Sequence, residues 1–373
     1  MLAAPLAAQG DQLTPSSATP IAPSSATPIA PPAGTGTEAT PIAPPDPQPD
    51  LPAEGATPAA PPPFPLRVTA SIFSRPELRQ GYEQLGQADT DFVRYRFRLG
   101  FSLEPIDLGR VSVGGRLAPQ AAGFWSSGGT LTDPALGIHE AVLLLNTERI
   151  AFELGRFEMS YGEEVVIGTV GWHQVGRAFD GARLRTKLAT AGAYVDVFAT
   201  QLTENLDTNF AAGDVIFLGA YAGLGPLLRE GLELDVYAFE LLLAENPDPD
   251  PTLSTPRRHV TTVGSRLLHR GETPDLRAEV GVQLQGAEGA DLLVAYHADA
   301  EVGVRVGSRF RLSAEALFAS GAHGERVGAW NQLFPTAHKF LGFSDIMGGR
   351  SNVVSGVLHA WASLADGLGA NVD

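Results

Sequence analysis

The stretch that most constrains the fold is 92–104, FVRYRFRLGFSLE, in which two unlike series interleave. Val93, Tyr95, Phe97, Leu99, Phe101 and Leu103 form an apolar row, and Arg94, Arg96, Arg98, Gly100, Ser102 and Glu104 form the other. Successive side chains of a strand point to opposite faces of a sheet, so a period of two writes two faces into one ribbon. A helix would scatter the same arginines around its axis. The stretch therefore predicts a long strand with one greasy face and one cationic face.

The alternation recurs downstream. Val111, Val113 and Leu117 oppose Arg110, Ser112, Gly114 and Arg116, and Ala182, Leu184, Thr186 and Leu188 oppose Arg183, Arg185 and Lys187. Ala193, Val195, Val197 and Ala199 oppose Tyr194, Asp196, Phe198 and Thr200. Ala278, Val280, Val282 and Leu284 oppose Arg277, Glu279, Gly281, Gln283 and Gln285. Val302, Val304 and Val306 oppose Gly303, Arg305 and Gly307, and Phe310, Leu312, Ala314, Ala316 and Phe318 oppose Arg309, Arg311, Ser313 and Glu315. Less regular strands at 141–158, 212–223, 232–243, 258–269, 290–298 and 353–364 bring the expected number to about thirteen.

These strands exceed the roughly five or six residues usual in globular proteins and match the roughly nine to eleven that cross a bilayer at a tilt. Tyr95, Phe101, Phe310 and Phe318 stand toward the ends of apolar rows, where barrels carry aromatic girdles. Connections alternate between short glycine turns and long polar segments such as 244–259. The expected fold is all-β, an antiparallel transmembrane β-barrel over 66–373, in the outer membrane of a bacterial cell with its lipid as a partner. The longest apolar run, 215–228, is too short and too broken by Gly and Pro for a spanning helix, which excludes a helical membrane protein.

Residues 1–65 differ in kind. They carry the unit ATPIAP three times and a single aromatic, Phe64, so they cannot bury enough apolar surface to offset chain entropy and are expected to be a disordered spacer or dispensable tail. Ala4, Ala7 and Ala8 before Gln9 have the small-residue texture of a signal-peptide remnant, without the basic residues that normally precede it. The chain has no cysteine and a net charge of −16, which exclude a disulfide scaffold and argue against sequence-independent nucleic-acid binding.

If the apolar rows face lipid, the others line a water-filled lumen. Arg94, Arg96, Arg98, Arg110, Arg116, Arg183, Arg185, Lys187, Arg277, Arg305, Arg309 and Arg311 then face inward, against fewer carboxylates, chiefly Glu104, Asp196, Glu279 and Glu315. Rings of arginine in a pore select anions, and the guanidinium fork matches carboxylates. The bland alternative is that each arginine merely pairs with a luminal acid and braces the barrel.

Two irregular segments carry a resemblance. Residues 153–185 hold Gly155–Arg156, Tyr161–Gly162–Glu163, Trp172 and Gly176–Arg177–Ala178–Phe179–Asp180 in order; residues 330–348 hold Asn331, Leu333, Phe334, Pro335, Thr336 and His338. This resembles the bacterial alginate export porin family. The resemblance implies an 18-stranded outer-membrane barrel whose arginine-rich constriction passes an anionic polyuronate outward, with periplasmic polysaccharide-export machinery as a partner. It adds Arg156, Arg177 and Asp180 to the expected pore lining, and makes Trp172, Asn331, Phe334, Pro335 and His338 a structural or gating motif. The chain carries fewer strands than that family, so truncation at the C-terminus is expected. A small-anion or general uptake porin, and a non-transporting structural or adhesive β-domain, are the alternatives. No enzyme signature occurs, the eight histidines lack ligand spacing, and neither catalysis nor a cofactor or metal is expected. Glu163–Glu164 reads as a solvated turn.

Overall fold

The alternation resolves into fifteen strands that pair antiparallel in strictly consecutive order. They are β1 (Leu66–Arg79), β2 (Thr90–Asp107), β3 (Ser112–Ser126), β4 (Ala135–Asn146), β5 (Ile150–Phe157), β6 (Phe179–Lys187), β7 (Tyr194–Leu202) and β8 (Val215–Gly223). After the short helix α1 (Gly225–Leu228) come β9 (Leu232–Leu243), β10 (Arg258–His269), β11 (Asp275–Ala287), β12 (Leu293–Val306) and β13 (Phe310–Ala319). A second short helix, α2 (His338–Leu341), precedes β14 (Val353–Ala365) and β15 (Leu368–Val372). This computed structural model describes residues 65–80, 90–126, 135–188, 192–202, 214–228, 231–244, 256–269, 274–307, 309–336, 338–341, 349–365 and 368–372. Apart from Pro65, the expectation for 1–65 falls outside them.

Fifteen strands replace the expected thirteen for local reasons. The predicted 141–158 is a hairpin, β4 and β5, turned at 147–149 where Thr147 Oγ1 accepts from the Ile150 amide at 3.0 Å. The predicted 290–298 and 302–306 are one strand, β12. β1 escapes notice because its inner row, from Arg67 through Phe73 to Glu77, mixes apolar and charged residues, and its outer row contains Ser74 and Pro76. β15 has only five residues.

Connections separate by end. Turns at 108–111, 147–149, 188–193, 270–274 and 307–309 lie at one end; 80–89, 158–178, 203–214, 244–257 and 320–352 lie at the other. The connections at 108–111 and 147–149 are tight hairpin turns, and the segments 158–178 and 320–336 fold into the barrel.

The outer rows are exposed and apolar: Ile72 at 74%, Leu136 at 77%, Val354 at 79% and Leu358 at 77%. A water-soluble protein does not carry a continuous apolar belt of this extent; a bilayer-spanning barrel requires one. No helix among the described residues is long and apolar enough to cross a membrane. On this outer face Tyr95 lies across Gly123 and stacks on Trp125 with centroids 4.9 Å apart, and Tyr296 stacks on Phe318 at 5.6 Å. Both pairs sit toward the long-connection end, while Phe310 opens β13 at the other.

The inner face is where the expectation of a polar lumen needs correction. Inward residues of β6–β10, including Phe179, Phe198, Phe217, Tyr221, Tyr237, Phe239, Leu241 and Val260, form a buried hydrophobic core with Met159, Tyr161, Val165, Val166, Ile167, Leu333 and Phe334. The latter belong to 158–178 and 320–336. Period-two alternation shows which row faces inward, but not that the inward row of these strands meets protein instead of water.

Candidate functional site

The segment 158–178 enters the lumen because its polar groups find partners there. Tyr161 donates its hydroxyl to Asp196 Oδ2 at 2.9 Å; burial and the neighbouring carboxylate push the phenol up, so it stays a neutral donor. Gly162 has φ of 55°, and a Cβ there would sit 2.6 Å from Arg266 Cδ. The glycine thus lets Arg266 reach Glu163, with Nε at 2.6 Å from Oε2 and Nη2 at 2.5 Å from Oε1. Arg266 also bonds Asp235 at 2.6 Å and Glu233 at 2.9 Å. Glu164 pairs with Lys339 at 3.0 Å. The Glu163–Glu164 pair, read from sequence as a solvated turn, is instead a double anchor.

The segment 320–336 lies along the inner faces of β11 and β12. Gln283 grips Asn331 with both ends of its amide, donating to the Asn331 carbonyl at 2.6 Å and accepting from its backbone N–H at 2.9 Å. Gln285 donates to the Ala329 carbonyl at 2.7 Å, and Trp330 packs on His297 at 4.2 Å. Asn331 Oδ1 accepts from the Leu333 amide at 2.9 Å, holding the turn in which Leu333 takes φ of 57°. Phe334 then inserts between Phe179 and Phe217, at 5.5 and 4.8 Å.

The two segments lock to each other as a miniature parallel pair. Gly168 donates to the Phe334 carbonyl at 2.8 Å, Phe334 to Val166 at 2.9 Å, and Thr336 to Glu164 at 3.0 Å. Arg177 Nη1 bonds the carbonyl of Pro335 at 3.0 Å and of Gly168 at 3.3 Å, with its guanidinium over Phe334. Burial holds its pKa down at about 10, which leaves it cationic at neutral pH. Arg177, expected in the pore lining, is thus the clamp between the two segments. Asn331, Phe334 and Pro335 belong to the same clamp. His338 heads α2, and its side chain lies outside the described residues.

The segments 158–178 and 320–336 together form a plug, whose residues 172–175 touch the wall of β1–β3. There Arg75, Arg94, Arg96 and Arg98 stand on adjacent inner rows, with Arg75 opposite Arg94 in register. Arg75 and Arg94 share Glu77 at 2.6 and 2.7 Å. Arg98 reaches Glu158 at 3.2 Å, which also meets His139 at 2.5 Å. Among the described residues no carboxylate lies within ion-pair distance of Arg96, whose Nη1 reaches only the His173 carbonyl at 3.3 Å. Arg75 donates to the Trp172 carbonyl at 2.8 Å with its guanidinium 4.1 Å from that ring centroid, and Arg94 donates to Gln174 at 2.6 Å. Among the described residues these four guanidinium groups reach two carboxylates, Glu77 and Glu158, beside residues 172–174.

Elsewhere the predicted cations are paired. Arg116 bonds Glu153 at 3.0 Å and lies 3.4 Å from Glu140; Arg183 also pairs with Glu153. Arg185 holds Asp196 bidentately at 2.7 Å. Arg277 reaches Asp299 at 2.8 Å and Glu315 at 3.3 Å, and Arg311 reaches Asp275 at 2.6 Å and Glu301 at 2.8 Å. The expectation that inward carboxylates are few is corrected by Glu77, Glu140, Glu153, Asp235, Asp275, Asp299 and Glu301. Most lie on strands whose alternation is weak or unread; Asp275, Asp299 and Glu301 fall just outside the alternating stretches read on β11 and β12.

Four placements are corrected outright, those of Arg156, Asp180, Arg110 and Arg309. Arg156 and Asp180 bond each other at 2.6 Å, opposite one another in register, on the face that carries Leu154 and Leu184. They belong to the outer surface at the long-connection rim, not to the pore. Gly155 shows why the shift went unseen: its φ is 122°, and a Cβ there would meet the Ala141 carbonyl, so the motif marks a backbone need beside a side chain that faces outward. Arg110 and Arg309 sit in exposed turns beyond the strands. Lys187 and Arg305 are exposed near the same short-turn mouth.

No family model matches the chain, and no curated protein sequence matches it. Solved structures do. Pseudomonas aeruginosa OpdQ aligns with a TM-score of 0.53 at 10% identity, covering 81% of this chain and 77% of that one. Acinetobacter baumannii OccAB4 gives 0.53 at 11% identity over 81% and 78%, and P. aeruginosa OpdK, solved with vanillate, gives 0.52 at 14% over 80% and 76%. The fold is that of the bacterial outer-membrane β-barrel porins. The alginate export family is not among these likenesses.

Proposed function

We propose that the protein is a channel for small organic anions, which cross the outer membrane along the β1–β4 wall. The observation that carries this reading is the strip of inward Arg75, Arg94, Arg96 and Arg98, which among the described residues reaches two carboxylates and hydrogen-bonds residues 172–174. Such a strip in a narrow low-dielectric passage focuses a positive potential and raises local anion concentration. OpdK, with vanillate in its crystal, shares the fold and supports an uptake role for a small carboxylate. The role requires no covalent chemistry, and the proposal is transport without catalysis.

The polyuronate expectation is less well supported, because the clamped segments 158–178 and 320–336 occupy the half of the lumen beside β6–β12. A stiff polymer needs a continuous bore, whereas a small carboxylate needs only the remaining channel. Planar-bilayer recordings test the reading: block by monomeric carboxylates without block by oligouronates is expected. Block by oligouronates alone would return the assignment to polysaccharide export, and absence of conductance would leave a structural β-domain.

A further inference from the structure

Below the arginine strip, toward the short-turn mouth, the β1–β4 wall contains a recess of about 170 Å³. Its luminal lining is Thr69, Ser71, Arg98, Ser102, Arg116 and Glu140. The register explains why they converge: Ser71 stands opposite Arg98, Thr69 opposite Gly100, Ser102 opposite Arg116, and Ala118 opposite Glu140. Gly100 and Ala118 make the hollow. A Cβ on Gly100 would lie 2.5 Å from Thr69 Oγ1, so the absent side chain is what leaves that hydroxyl in the open. Thr69, Ser71 and Ser102 make no side-chain hydrogen bond among the described residues, whereas the arginines and Glu140 are already in ion pairs.

We infer that this recess is a binding station for a small hydroxylated carboxylate. The inference rests on the small-anion reading and narrows its substrate class. Arg98 and Arg116, already held in ion pairs, supply positive charge beside the recess that attracts a carboxylate. Three hydroxyls can donate or accept, and Glu140 can only accept, so together they match a ligand carrying its own hydroxyls. A plain fatty acid of equal length would leave those groups facing its methylenes. At about 30 Å³ per water in the liquid, the recess displaces a handful of waters, which suits a ligand of a few carbons and not an aromatic acid.

The test uses the full chain in planar bilayers with glycerate and propionate, which share charge and carbon number and differ in hydroxyls. Glycerate is expected to bind about fivefold more tightly than propionate, measured as half-block of chloride current, corresponding to about one net hydrogen bond. The triple variant Thr69→Val, Ser71→Ala, Ser102→Ala is expected to lose that preference while keeping the wild-type chloride-over-potassium selectivity. Equal block by the two acids in an anion-selective wild type would overturn the recess and leave the channel reading standing. A wild type with no anion selectivity would overturn the channel reading itself. A preference that survives the triple variant in a barrel of normal heat-modifiable gel mobility would also remove the recess from the account.

Discussion

The wall of β1–β4 and the wall of β9–β13 are made of the same residue types and are used in opposite ways. On the first, among the described residues, the arginines outnumber the acids they reach and lie half-buried against residues 172–174. On the second, Arg266, Arg277 and Arg311 bond Glu163, Glu233, Asp235, Asp275, Asp299, Glu301 and Glu315, and Asp299 is buried against Arg350, which stands just before β14. A charge left short of acid partners can act on a passing solute. A charge sealed against partners acts on the fold. The difference is therefore one of pairing, which decides whether an inward arginine attracts ions or holds a loop.

Substitutions can break this contrast. The largest effect is expected for Arg266→Met, which strands Glu163 and Asp235 without their cation; losing one partner of a buried network costs about 3–5 kcal/mol. Urea unfolding followed by gel mobility should show it, while Arg96→Met should cost clearly less, since among the described residues no carboxylate pairs with that half-buried cation. Equal costs at the two positions would erase the distinction. Phe334→Ala removes the ring wedged between Phe179 and Phe217 and should cost a comparable 3–5 kcal/mol or so. It should also widen the passage, read as a higher single-channel conductance; unchanged conductance would mean that the clamp does not narrow the path. The smallest effect is expected for the double change Arg156→Met, Asp180→Leu on the outer rim. An exposed pair is worth about 0–1 kcal/mol, and ion selectivity should not move. A shifted reversal potential would put this pair back in the lumen.

The barrel was legible in the sequence because lipid and water impose opposite demands on alternate residues, and 92–104 records both. The arginine strip was legible for the same reason, at Arg94, Arg96 and Arg98. Arg75 was not, since β1 alternates too weakly to be seen as a strand. The plug was hidden because inward Phe198 and Phe217 look, in a period-two pattern, like any other luminal position. The two motif segments stood out as irregular, yet their residues split between lumen and surface: Arg177 clamps the plug and Arg156 faces outward. Only pairing register separates them, and register is a property of the sheet. Gln283 and Gln285 carried no signal at all, because a glutamine that mimics a strand edge is indistinguishable from one that meets water.

The central claim is that anions cross along the β1–β4 wall, and reversal potential in a potassium chloride gradient tests it most directly. The wild type is expected to favour chloride. Arg94→Ser, Arg96→Ser and Arg98→Ser combined should move the reversal potential to zero or to the potassium side, with the barrel intact by gel mobility. A triple variant that keeps the wild-type chloride preference would contradict the account.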